Sequence, residues 1–194
     1  MTRLALYGLL RGTLAVDPVW LTAVFCEVSV SYVYGSPETW ERYDSACDEL
    51  GWHKKTLLTQ LLHSYGSKEL AYYQGAAAMD ALSRGFPSHQ GEHYLLLRDW
   101  GEMPRYTGSQ PPFERSPLAD IPDVPNGAVG RRSFRSIRCS GRNSAILHLA
   151  TIVERSNIPQ TLSRIMLWHF ERYWHEGYIK QLESDRQLTL TPEA

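Results

Sequence analysis

The chain has 194 residues, which is enough for one or two domains with a hydrophobic core. Hydrophobic residues make up 43% and charged residues 21%, as is ordinary for a soluble globular protein. The formal net charge of −1 excludes a general attraction of the whole molecule for nucleic acid, so any such affinity must come from a local basic surface.

Residues 1–26 are rich in leucine, valine and alanine and are predicted to pack on the core. Arg11 interrupts the first apolar run, and the next one, residues 16–26, is too short to span a bilayer. We therefore expect no signal sequence and no membrane partner.

Residues 27–66 are predicted to form a strand followed by two helices. Apolar and polar residues alternate in EVSVSYVY, which is typical of a half-buried strand. Ser36 and Pro37 fit the N-cap and first position of a helix, and Gly51 fits its end. A second helix, which carries two leucine pairs, is predicted to end at Gly66.

Two less regular segments follow this first unit. Residues 67–105 are predicted to form a helical insert, because their alanines favour close helix packing. Residues 106–130 contain PP, SP, IP and VP steps and few bulky residues, which predicts a mobile linker.

Residues 131–183 are predicted to form a second strand-helix-helix unit, with residues 184–194 as a tail. Five of the twelve residues from Arg131 to Arg142 are arginine and none is acidic. Apolar residues interrupt the charge, which favours a strand over a disordered basic tail. We expect Asn157 to close the next helix in a left-handed conformation, and Pro159 to begin the last one.

The three cysteines predict a chain without disulfides or metal. Cys26, Cys47 and Cys139 lack metal-ligand spacing, and their odd number argues against a disulfide framework. Cys47 lies on an apolar helical stripe and is predicted to be a buried free thiol. A cytoplasmic location and no cofactor are expected.

The two strand-helix-helix units repeat a pattern rather than letters. At an offset of 106 residues, three apolar positions of the first helix correspond: Trp40, Tyr43 and Cys47 with Ile146, Leu149 and Val153. If the second turn holds two extra residues, the apolar stripes of the following helices correspond as well.

The first unit resembles the ribbon-helix-helix family of the Arc/MetJ/CopG type, over SVSYVYGSPETWERYDSACDELGWHKKTLLTQLLHSY. The likeness lies in the strand, the Pro-Glu helix start, the Leu-Gly turn and the pattern L-L-x-x-L-L-x-x-Y. A more divergent copy is RSFRSIRCSGRNSAILHLATIVERSNIPQTLSRIMLWHFERY. The resemblance implies that two units pair their strands into one ribbon whose outward side chains read bases in double-stranded DNA.

The expected fold is therefore α+β and mostly helical, with the two units paired through an antiparallel two-stranded ribbon. We expect residues 28–34 and 133–139 to be the adjacent strands. They would pair within one chain as a pseudo-dimer, or between the chains of a homo-oligomer.

The site residues follow from strand alternation in the basic stretch. If Ile137 and Cys139 face the core, their neighbours face outward, whereas a slip of one residue would expose Arg135 instead. The predicted base contacts are Arg132, Phe134, Arg135, Ser136 and Arg138, and the predicted phosphate contacts are Arg131, Arg142, Lys54 and Lys55.

The expected function is sequence-specific binding of double-stranded DNA, without enzymatic activity. The protein would act as a transcriptional regulator, such as a repressor, or as an accessory factor of a plasmid or other mobile element. The alternative is a protein-interaction scaffold in which the units serve only for oligomerisation.

A third alternative is zinc-dependent hydrolysis. His89, Glu92 and His93 have the letters of the H-x-x-E-H motif, which needs both histidines on one helical face. Pro87 and Gly91 argue against a rigid helix at this place, so we expect no bound zinc.

Overall fold

The computed structural model describes residues 24–87, 91–100, 115–124, 130–174 and 178–190. Over these residues the fold is α+β and mostly helical, with seven helices and two small antiparallel sheets, as the sequence predicts. The strands are β1 Phe25–Val30, β2 Val33–Tyr34, β3 Arg131–Arg132 and β4 Arg135–Ser140. The helices are α1 Pro37–Leu50, α2 Lys54–Lys68, α3 Leu70–Ser83, α4 Glu92–Arg98, α5 Gly141–Val153, α6 Ile158–Arg172 and α7 Tyr178–Leu190.

Local capping explains where the helices of the first unit begin and end. The Ser36 hydroxyl accepts a hydrogen bond from the Thr39 amide, and Pro37 supplies a preset φ at the first helical position. Gly51 ends α1 at φ 62°, a left-handed conformation that costs glycine little. The predictions for these three positions are confirmed, whereas α2 continues two residues past Gly66.

The second unit uses the same kind of caps. The Ser140 hydroxyl accepts from the Asn143 amide at the start of α5. The prediction that Asn157 closes α5 is wrong. Its side chain accepts a hydrogen bond from the Gln160 amide and caps the start of α6. The residue with positive φ in this turn is Arg155, at 50°.

Matching caps give the true correspondence between the units. Helices α1 and α5 begin 104 residues apart, at Pro37 and Gly141, and α2 and α6 begin 104 residues apart, at Lys54 and Ile158. The expected offset of 106 with two extra residues is therefore wrong. The offset of 106 was obtained by matching apolar side chains. The helix starts of the two units instead correspond at 104 residues throughout, with no insertion between the helices.

The two units pair within the chain. Strand β1 is antiparallel to β4, with Val28 opposite Ile137, and β2 is antiparallel to β3, with Val33 opposite Arg132. In every pair of both sheets the two residue numbers add to 165, which means that the two sheets share one register. They are therefore two parts of one interrupted ribbon. The predicted antiparallel pairing is confirmed, although the regular part begins at Phe25 and breaks at residues 31–32 and 133–134.

The inner face of the ribbon packs on the helices of both units. Val28, Val30, Ile137 and Cys139 are buried there, and α2 and α6 are in contact beneath them. Two fully buried aromatics anchor this core: Tyr43 of α1 and Trp168 of α6. Burial of such rings is a main source of stability, since each removes about 150–250 Å² from water.

Segments outside the two units complete the core. The predicted insert is helical, as α3 and α4. Within the predicted linker, residues 115–124 are not loose, because Leu118 and Ile121 are buried in the core cluster. The predicted boundary at residue 184 falls inside α7, a separate helix that packs on α1 and α2.

None of the helices formed by the described residues is long and apolar enough to cross a membrane. The predicted free thiol is confirmed, because Cys47 is buried and unbridged, and burial raises the pKa of its thiol to about 11.

Residues 1–23 lie outside the described residues, so the prediction that residues 1–26 pack on the core concerns mostly residues outside them.

Candidate nucleic-acid interface

The outer face of the ribbon carries a small set of polar and aromatic side chains. The Gly141 amide donates to the Val24 carbonyl, so residues 24 and 141 form a hydrogen-bonded pair. Pairs alternate along an antiparallel ladder, which makes Glu27 and Arg138 a non-hydrogen-bonded pair, the type with the closer side chains. The outer residues of this part of the ribbon are Phe25, Glu27, Ser29, Ser136 and Arg138.

Contacts across this face hold its side chains in place. The Ser136 hydroxyl donates to a Glu27 carboxylate oxygen over 2.5 Å. The Arg138 guanidinium lies 5.1 Å from the centre of the Phe25 ring, which is 61% exposed. A cation over an aromatic face is held electrostatically, so the Arg138 guanidinium is held beside Phe25 on the outer face of the ribbon.

The far end of the ribbon repeats this pairing of arginine and aromatic ring. Arg131 is exposed, and its guanidinium lies 4.6 Å from the centre of the half-exposed Tyr32 ring. The outer surface of the ribbon thus presents one arginine towards each end.

Arg135 reaches the surface through an unusual backbone conformation. Its φ is 60°, and the Ser136 amide donates to the Phe134 carbonyl across it over 2.7 Å. Strand alternation alone would turn Arg135 inward, because its partner Val30 is buried. The local turn breaks the alternation and leaves Arg135 exposed.

Two of the predicted base contacts are engaged within the chain. Both terminal nitrogens of Arg132 donate to the Asp44 carboxylate, over 2.5 and 2.7 Å, and its guanidinium lies over the Trp40 ring. Phe134 is only 4% exposed and packs edge-on against Tyr43. The strand alternation that predicted an outward Phe134 does not hold here, because the ribbon breaks at residues 133–134 and Phe134 turns into the core.

The predicted phosphate contacts differ in exposure. Lys55 and Arg131 are exposed, and Lys54 is exposed but paired with Asp44 over 3.1 Å. Arg142 is half-buried in the first turn of α5, where burial lowers the pKa of its guanidinium. Arg142 is therefore a weaker candidate for a phosphate contact than its place at a helix start suggested.

A cavity beside the ribbon was not foreseen from the sequence. Its volume is about 670 Å³, and it is lined by residues of β1, β4, α2 and α7, including Glu27, Lys55, Gln60, Arg138 and Arg186. We call it the ribbon cavity. Arg186, which lies over the Trp52 ring, belongs to the predicted tail, and its sequence context gave no signal of this position.

The counterpart of Gln60 in the second unit is held by segment 115–124. Arg164, the counterpart of Gln60 at the offset of 104, donates to the carbonyls of Leu118 and Ile121 over 2.6 and 3.1 Å. It also pairs with Glu154 over 2.7 Å. The segment 115–124 thus contacts the second unit at the position that Gln60 holds in the first, so the two halves of the pseudo-dimer differ there.

The zinc motif is not assembled by the residues that can be described. His89 lies outside them, Glu92 is exposed, and His93 is fully buried with its Nε2 atom 2.8 Å from the Asp80 carboxylate. Within the described ranges no group of three or more His, Cys, Asp or Glu side chains could hold a metal ion.

No protein-family model, curated protein or solved structure matches the chain.

The ion pair between Arg132 and Asp44 predicts a specific pH dependence of stability. A hydrogen bond from Arg132, and to a smaller extent one from Lys54, holds the pKa of Asp44 at about 2, below the value of about 3.9 in an unfolded chain. The stabilisation is therefore complete above pH 4 and is lost as the pH falls towards 2. Because the Asp44 side chain is 39% exposed, we expect it to amount to less than about 1 kcal/mol.

The measurement is the free energy of unfolding in denaturant, from pH 5 down to pH 2, for the wild type and Asp44→Asn. The difference between the two should shrink as the pH falls. Asp48→Asn, which changes an exposed carboxylate on the same helix, is the control. An Asp44→Asn difference that grows towards low pH would contradict the assignment.

Proposed function

We propose that the chain binds double-stranded DNA through the outer face of its intramolecular ribbon, as a transcriptional regulator or a mobile-element accessory factor. The observation that carries the proposal is the ribbon itself: two antiparallel strands backed by helices, with Ser136 and Arg138 directed outward. A two-stranded ribbon fits the width of the major groove. The likeness to ribbon-helix-helix units supports the same reading.

The exposed side chains divide by position into two roles. Arg138 and Ser136 stand on the regular part of the ribbon and would contact base edges, with Glu27 able to accept from a cytosine amino group. Arg131 lies at one end of this face and Lys55 at its flank, and Arg135 lies midway along the ribbon beside its break; these three would contact phosphates. Arg132 and Phe134 have no role in DNA binding in this proposal, because one is paired with Asp44 and the other is buried.

The overall charge sets the conditions for the test. Because the chain has a net charge of −1, its attraction to DNA must be local and should disappear at high salt. Three or four neutralised phosphates would give a slope of log affinity against log salt of about −2.7 to −3.6. We expect fluorescence anisotropy of labelled duplexes at 50 to 300 mM salt, roughly the range used for such slopes, to show this dependence.

A mixed pool of duplexes is the right first ligand, since the operator is not known. The triple variant Arg131→Ala, Arg135→Ala, Lys55→Ala should lose most of the salt dependence. The matched control is Lys180→Ala with Arg172→Ala, which removes exposed charges on α7 and α6. If the wild type shows no salt-sensitive binding to any duplex, the scaffold alternative is favoured.

A further inference from the structure

Two of the three cysteines lie directly opposite each other in the ribbon. Cys26 of β1 is the register partner of Cys139 of β4. Strand alternation places both side chains on the inner face, as it does for the next inner pair, Val28 and Ile137. The two cysteines are 113 residues apart in the chain, so their spacing in the sequence gave no signal of this juxtaposition.

The position of the pair in the ladder suits a disulfide that is easily reduced. Residues 24 and 141 form a hydrogen-bonded pair, so Cys26 and Cys139, two steps along, form one as well, with Cα atoms about 5.5 Å apart. Disulfides span Cα distances of about 4.4–6.8 Å. The Cβ atoms of such a pair must approach by roughly 1 Å, which strains the bond. The pair stands one residue from the ends of β1 and β4, where a small shift of the strands disturbs the ladder least.

The two thiols differ in their access to solvent. Both are free, but Cys26 is partly exposed whereas Cys139 is buried. Burial raises the pKa of the Cys26 thiol by more than the nearby Arg98 guanidinium lowers it. Burial, and then the negative charge of a Cys26 thiolate, raises the pKa of Cys139 to about 12. An external reagent therefore meets Cys26 first, and Cys139 reacts only with a group that Cys26 already holds.

We propose that Cys26 and Cys139 form a reversible dithiol–disulfide pair that exchanges with low-molecular-weight disulfides. The Cys26 thiolate attacks one sulfur of the small disulfide, forms a mixed disulfide and releases one small thiol, which takes up the proton that Cys26 lost. Cys139 then loses its proton to solvent, attacks the Cys26 sulfur and releases the second small thiol. Two protein thiols are thus oxidised by two electrons while one small disulfide is reduced to two thiols. The pair does not depend on the proposed binding of DNA.

The experiment treats the full chain with oxidised glutathione at about pH 8, where more of each thiol is ionised, in the native state and in urea. Remaining thiols are alkylated, and linked peptides are identified by mass spectrometry. In the unfolded chain, loop closure favours a bond from Cys26 to Cys47, 21 residues away, over one to Cys139 by about tenfold. The native chain should reverse this preference and link Cys26 to Cys139, and an excess of reduced glutathione should reopen the bond.

Two variants separate the pair from other thiol reactions. Cys139→Ala should stop at the first step and leave glutathione on Cys26, whereas Cys47→Ala, which removes the third thiol, should form the link as the wild type does. The proposal is overturned if the native wild type forms no link between Cys26 and Cys139, or keeps glutathione on Cys26 without releasing it. It is also overturned if native and unfolded chains give the same distribution of links, or if reduced glutathione does not reopen the bond.

Discussion

Replacement of Arg164 by alanine is expected to destabilise the protein by about 3–5 kcal/mol, because it leaves a buried carboxylate without its cation. The side chains of Arg164 and Glu154 are 7% and 6% exposed, and 2.7 Å separates their charged atoms. The same guanidinium also satisfies the carbonyls of Leu118 and Ile121, so the variant would lose the attachment of segment 115–124 as well.

The measurement is the free energy of unfolding in urea, together with the rate of proteolytic cleavage within residues 115–124. Arg172→Ala is the matched control: its 3.5 Å pair with Asp120 is partly exposed, and a loss below about 1 kcal/mol is expected. The double variant Glu154→Gln, Arg164→Met should recover part of the stability, because it leaves no charge buried. A loss for Arg164→Ala no larger than that of the control would show that the segment is not held by this residue.

Replacement of Arg138 by alanine is expected to remove about 1–3 kcal/mol of discrimination between matched and mismatched duplexes, if the arginine reads a base edge. Arg138 is exposed on the regular part of the ribbon and is held over Phe25. This arrangement reduces the entropy that the side chain would lose on binding. A matched duplex can be obtained by selection from a random pool.

Arg131→Ala provides the contrast for Arg138. It changes an arginine that is also exposed and also stacked on an aromatic ring, but at the other end of the ribbon. Because Arg131 is proposed to contact a phosphate, its replacement should weaken binding to matched and scrambled duplexes alike and lower the salt slope by about 0.9. The assignment of roles fails if Arg138→Ala weakens both duplexes equally, or if neither variant alters affinity or salt slope.

The sequence was sufficient for the features that depend on local physics. Serine before proline, and glycine after an apolar stripe, specify the start and end of α1 whatever lies around them. The alternation of Val28, Val30 and their neighbours likewise specified a strand with one buried face. The antiparallel ribbon was expected from the resemblance to ribbon-helix-helix units, and the sequence left open whether its strands pair within one chain or between chains.

The direction of individual side chains could not be read in the same way. Period-two alternation holds only while the strand is regular, and a break at residues 133–134 turns Phe134 inward and Arg135 outward. Arg132 looked like a free cation in sequence, since its partner Asp44 is 88 residues away.

What the sequence by itself determined is therefore the set of elements and the caps of α1, because these depend on neighbours within a few residues. The tertiary structure decided that the two units pair within one chain. Only the tertiary structure decided which cations remain available, because ion pairs such as Arg164 with Glu154 and hydrogen bonds to Leu118 and Ile121 depend on proximity in space. It also decided the asymmetry of the two units. Gln60 and Arg164 hold equivalent positions in the repeat and are both buried, yet Gln60 lines the ribbon cavity, whereas Arg164 is bound by the carbonyls of Leu118 and Ile121.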